Sequence, residues 1–92
     1  MKNLKPSHRE NKRYLLIKGK DASKENIDEA IADYLGALGL ASASPKMIKN
    51  FQGKIIVAIN RQMLDKVRAS FLVSNKDLQI IRVSGSLKKL GV

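Results

Sequence analysis

Ninety-two residues, 43% of them apolar, are enough for one hydrophobic core and too few for two. The absence of cysteine excludes disulfides and thiolate metal sites, and no apolar run approaches the roughly 20 residues of a membrane span, so the chain is expected to be soluble and cytoplasmic. Eighteen Lys and Arg against eight Asp and Glu give a formal net charge of +10, distributed unevenly. Residues 1–20 carry seven cations and one acid, residues 46–92 ten cations and two acids, while residues 21–45 hold five acids and the single cation Lys24. Acids collected in one segment leave the remainder free to face a polyanion. No long helix pairs a Lys/Arg face with an aromatic-rich apolar face, which favours nucleic acid over anionic lipid.

Residues 1–10 are polar, contain Pro6 and predict a flexible basic arm, in which the lone His8 is a solvated side chain. Residues 11–92 then form a single domain. Residues 13–19 are an extended apolar run closed by Gly19, the first strand, with Lys12 and Arg13 where the arm meets it. Ser23 is the expected N-cap of a helix over 24–38, with Ile27, Ala30, Ile31, Tyr34 and Leu38 on one face and the acids on the other. Gly39 is its expected C-cap, so Gly36 and Gly39 of GALG are read as helix termination rather than as a backbone-clamping GXXG loop. MIKNF and KIIVAIN, separated by Gln52 and Gly53, predict a hairpin. Asn60 is the expected cap of a second helix over 61–73 with Leu64, Val67 and Phe71 buried. DLQIIRVSG is the final strand, and SLKKL an amphipathic turn with Leu87 and Leu90 on one side.

Strand, helix, strand, strand, helix, strand is the α+β pattern of the ferredoxin-like split βαβ sandwich, with two helices on one face of a four-stranded antiparallel sheet. Tyr14 and Leu16 alternate with Leu15 and Ile17, and Ile80 and Arg82 with Ile81 and Val83. Apolar residues therefore reach both sheet faces, and either the C-terminal turn or a partner protein must cover the open one. RNA-recognition modules of this plan stack bases on aromatics of the first and third strands, but the third strand here has none and the first only Tyr14.

No catalytic constellation is visible. Asp28 and Glu29 are adjacent and point apart, a P-loop is absent, and no ligand set for a metal can be assembled. What remains are cation clusters: Lys12 with Arg13, Arg61 with Arg68 on one flank of the second helix, and Lys88 with Lys89. An ion-pair ladder from Arg61 through Asp65 to Arg68 would compete with phosphate contact, but one Asp cannot neutralise two Arg.

The phrases KRYLLIKG, DYLGALGLASASPKMIK, NRQMLDKVRASFLV and RVSGSLKKL, in that order across residues 9–90, resemble the small protein subunit of archaeal ribonuclease P, component 2, which has a eukaryotic counterpart. The resemblance implies a non-catalytic subunit of a ribozyme that removes the 5′ leader from precursor tRNA. The RNA then holds the Mg2+ ions and performs the cleavage, and the protein itself carries no cofactor. It implies partners too: the catalytic RNA, precursor tRNA and a larger protein subunit of TIM-barrel-like fold, with a homodimer inside a heterotetramer. Arg9, Lys12, Arg13, Arg61, Lys66, Arg68, Lys88 and Lys89 are the RNA-contact candidates, and Tyr14, Leu16, Leu87 and Leu90 the protein-contact candidates. Two other readings are open: a ribosome-associated or general RNA-binding domain of the same fold, and a small ligand-binding regulatory domain, which the charge disfavours.

Overall fold

The computed structural model describes residues 12–51 and 53–90; the expected arm, with Arg9 and His8, lies outside them. The first strand, β1 (Lys12–Lys18), ends at Gly19, whose φ of +136° suits glycine, and a Cβ there would collide with the carbonyl oxygen of Asp77. Ser23 caps α1 (Lys24–Ala43) as expected: the Asn26 N–H donates to its Oγ at 3.2 Å, and Ile27, Ala30 and Ile31 are buried.

Beyond Leu35 the helix departs from the sequence expectation. Gly36 takes φ 77° and ψ 179°, a combination open essentially to glycine alone, and kinks α1, which continues past Gly39 to Ala43. Gly39 is therefore no C-cap. Its missing side chain makes room for Leu35, and the left-handed cap is Ser44, whose N–H donates to the Leu40 carbonyl at 3.0 Å. The kink rotates the later residues off the predicted face. Leu35, Leu40 and Ala43 reach the core, while Tyr34 is half exposed and Leu38 is 85% exposed.

The hairpin forms as expected from β2 (Lys46–Phe51) and β3 (Lys54–Asn60), with Gly53 at φ +76° in the turn. Ile55 to Ile59 are all buried, because apolar side chains cover β3 on both faces. The second helix begins later than expected: Arg61–Met63 form a 3₁₀ turn and α2 covers Leu64–Val73, with Val67 and Phe71 buried and Leu64 partly so. Asn60 precedes the turn but its side chain makes no capping bond. The buried Ser70 hydroxyl is satisfied by the Val67 carbonyl at 2.6 Å. After β4 (Gln79–Ser84), a 3₁₀ turn at Lys88–Leu90 closes the described chain.

The four strands form one antiparallel sheet in the order β2-β3-β1-β4, an α+β arrangement compatible with a ferredoxin-like fold. Leu15, Ile17, Ile55, Val57 and Ile59 pack from one face against Ile27, Ala30 and Ile31 of α1 and Val67 and Phe71 of α2. At about 1.5–3 kcal/mol for each buried aliphatic side chain, this layer holds most of the hydrophobic stabilisation. A bulge at Ile81 breaks the alternation expected in β4: Leu16 pairs with Arg82 but Ile17 with Ile80. Ile80 and Val83 consequently share the helix side, and Ile81 is left half exposed. On the opposite face the C-terminal turn does the covering, with Leu90 packed on Leu16 and Ile56 beside Tyr14.

Two loops are locked at the far end of the sheet. The Asp77 carboxylate accepts the Lys20 N–H at 3.0 Å, and Asp21 Oδ2 accepts the Asp77 N–H at 2.7 Å. The bond from Lys20, aided by Gln79, holds the Asp77 carboxyl below the ordinary carboxylate pKa. Its stabilising effect is complete above the unfolded value of about 3.9 and disappears as pH falls through the lower folded value. In acid titrations followed by circular dichroism, Asp77→Asn should lose less stability between pH 7 and pH 3 than the wild type. Leu90→Ala, which opens a cavity over Leu16 and Ile56, should cost about 2 kcal/mol or more in denaturant unfolding.

Candidate nucleic-acid interface

Antiparallel pairing gathers the chain's basic segments at one end of the sheet. Since β1 runs against both β3 and β4, its first residues meet their last: Lys12 pairs with Asn60, and Tyr14 with Ser84. Arg61 follows Asn60 directly, and Gly85, Ser86 and the Lys88–Leu90 turn follow Ser84. The result is an open groove of about 460 Å³ lined by Arg13, Arg61, Gly85, Ser86 and Lys89. Cations from three distant parts of the sequence thus face one concavity whose lining, among the described residues, includes no acid.

Local hydrogen bonds shape this groove. The Arg13 guanidinium donates to the Lys12 carbonyl at 2.9 Å and lies over Gly85, where a Cβ would stand 3.5 Å from Nη1. Ser86 N–H donates to Ser84 Oγ at 3.1 Å, fixing the turn that delivers Lys89. Lys12 is held differently: its Nζ donates to Asn60 Oδ1 at 2.8 Å, while Asn60 Nδ2 donates to the Ser42 carbonyl at 2.6 Å. Asn60 therefore ties β1 and the end of α1 to β3 instead of capping a helix, and it positions Arg61 one residue on. Sequence reasoning missed Asn60, Gly85 and Ser86. The register that makes them neighbours is not visible as spacing, although the Ser-Gly-Ser run before two lysines marked a turn.

The other RNA-contact candidates lie apart from this groove. Arg68 lines a separate, largely apolar depression with Phe71, Leu72, Leu78, Gln79 and Ile80. It does not join Arg61 there, because Arg61 stands in the 3₁₀ turn and the helical i, i+7 relation does not extend across it. The two ion pairs found among the described residues are Lys24–Asp28 at 2.6 Å and Lys76–Glu29 at 2.8 Å, so no ladder runs from Arg61 through Asp65 to Arg68. Lys66 and Lys88 are exposed but line neither depression. Among the protein-contact candidates, Leu16 and Leu90 bury one another, Tyr14 packs beside them partly exposed, and Leu87 remains accessible. The more exposed apolar side chains stand on the helices, and Tyr34 and Val73 line one depression between them.

Among the described residues no three His, Cys, Asp or Glu side chains come together to hold a metal ion, and no helix is long and apolar enough to cross a membrane. No family model matches the chain. It is, however, 34% identical to ribonuclease P protein component 2 of Pyrococcus furiosus, over 97% of its own length and 87% of the relative's. The chain belongs to the ribonuclease P protein component 2 family. Ribonuclease P processes tRNA as a ribonucleoprotein.

Because Asn60 donates and accepts across three elements beside this groove, Asn60→Ala should cost about 1–2 kcal/mol in urea unfolding, near 1 kcal/mol for each hydrogen bond lost. Asn60→Asp, which keeps the acceptor for Lys12 and loses the donor to Ser42, should fall between the two.

Proposed function

We propose that this chain, a protein component of ribonuclease P by family, supports the enzyme's RNA during removal of the 5′ leader from precursor tRNA and takes no chemical part in the cleavage. In this reading the RNA holds the Mg2+ ions and cleaves, while the protein folds as a ferredoxin-like split βαβ sandwich and neutralises phosphates. A cytoplasmic location and a larger protein partner of TIM-barrel-like fold, arranged as a heterotetramer around a pair of these chains, go with it. Tyr14 and Leu87 are the accessible members of the partner-contact set.

One observation carries the reading: Arg13, Arg61 and Lys89, from the first strand, the turn before α2 and the C-terminal turn, meet in one groove. Net charge alone would scatter them. Lysines and arginines that touch phosphate release counterions, so each contact adds about 0.7–0.9 to the slope of log affinity against log salt. A diffuse positive cloud would make all cations equivalent.

The test is the affinity of the purified protein for ribonuclease P RNA across a salt series. Arg61→Ala and Lys89→Ala should each lower the slope by about 0.7–0.9. Lys24→Ala, whose cation is paired with Asp28 on the acidic helix, should leave it unchanged. Equal effects at Lys24 and Arg61 would overturn the oriented interface. Precursor tRNA should stay intact with the protein alone, and magnesium-dependent cleavage by RNA-free protein would overturn the non-catalytic role.

A further inference from the structure

The strand registers place a second set of cations on a surface distinct from the groove. On the sheet face turned away from the helices, three rows can be followed across the strands. One consists of Lys46, Ala58, Tyr14 and Ser84; the next of Lys49, Ile56, Leu16 and Arg82; the third of Phe51, Lys54, Lys18 and Gln79. Arg82 pairs with Leu16 just before the bulge at Ile81, and the irregularity in β2, between Met47 and Lys49, brings Lys49 into the same row. Five cations therefore stand on this face, at both edges and across one end, and no acid occupies a position in these rows. Asp77 attracts Lys18 but is already bonded to the Lys20 N–H and to Gln79.

Two features show what such a face would take. Lys18 and Lys54 are directly opposite in the ladder, a like-charge pair that destabilises a sheet unless an anion lies between them. The centre of the face is occupied by Leu90 on Leu16 and Ile56, with Tyr14 packed alongside, so bases have no bare aromatic platform there on which to lie flat. Cations on the rim around a closed apolar centre match a phosphate backbone.

We infer that the open sheet face is a second RNA-docking surface, which takes phosphates rather than bases and lets one protein hold two RNA segments at once. The inference rests on the RNA-binding reading above and adds to it a separate face with its own contacts. Lys18 and Lys54, about 5 Å apart at Cβ, share one phosphate. Lys49 and Arg82 stand three strand intervals apart, about 14 Å, and take two.

The experiment repeats the salt series on ribonuclease P RNA with three double variants, each confirmed as folded by circular dichroism. Lys18→Gln with Lys54→Gln should lower the slope by about 0.7–0.9, and Lys49→Gln with Arg82→Gln by about 1.4–1.8. Both should add to the loss caused by Arg61→Ala with Lys89→Ala. Relief of the opposed pair should also raise the melting temperature of the Lys18/Lys54 variant by about 2–4 °C, so its weaker RNA binding could not be ascribed to unfolding. A wild-type slope in both face variants, beside a lowered slope in the Arg61/Lys89 variant, would overturn the second surface and leave the subunit reading intact. Wild-type slopes in all three would overturn the groove and the second surface alike. Binding of a polyglutamate peptide that depends on Lys49 and Arg82, with the RNA slope unchanged, would overturn RNA as the occupant in favour of an acidic protein.

Discussion

The pairing of β1 with both β3 and β4 is the constraint on which the rest of the molecule depends. A central strand in an antiparallel sheet must bury both of its faces, and β1 does so with Leu15 and Ile17 toward the helices and Leu16 toward the C-terminal turn. The same pairing fixes which ends coincide. Had β1 run parallel to either neighbour, Arg13 would stand a full strand length from Arg61 or from Lys89, and three cations could not line one groove.

Charge is sorted by the same geometry. The acids of α1 point away from the sheet, and two of them are occupied locally: Asp28 by Lys24 and Glu29 by Lys76. Their outward face repels a polyanion, while the sheet end and open face attract one. The molecule is therefore electrically two-sided. Short pairs on the acidic side are screened and contribute little to stability.

Much of the fold was legible because its signals are local. A short apolar run closed by Gly19 gave β1, Ser23 gave the start of α1, and Gly53 gave the hairpin. Where local rules compete, the sequence misled. Both glycines of GALG invite termination, yet Gly36 bends the helix and Gly39 gives Leu35 room, so Tyr34 and Leu38 left the predicted face. Asn60 has the composition of a cap but spends its amide on Lys12 and Ser42, partners found only through tertiary structure. The bulge at Ile81 is likewise silent in an unbroken run of strand-forming residues, and it brings Ile80 to the same side as Val83 while Arg82 faces outward. The basic clusters were visible as composition. Their division into a groove with Arg13, Arg61 and Lys89 and a separate place for Arg68 was not, because register and the 3₁₀ turn determine it.

The closing of the open face by Leu90 also has a consequence for how the chain is made. The first strand to leave the ribosome finds its hydrogen-bonding partners in β3 and β4, about 40 and 65 residues later, and the cover for Leu16 comes later still. Native contacts so distant in sequence make for slow, late assembly. During synthesis β1 has two unpaired edges and an apolar face exposed to its neighbours, a state that favours association between nascent chains. The lysines and arginine flanking it, Lys12, Arg13 and Lys18, oppose such association by repulsion until the C-terminal turn arrives, so charge at the ends of β1 protects the unfinished chain.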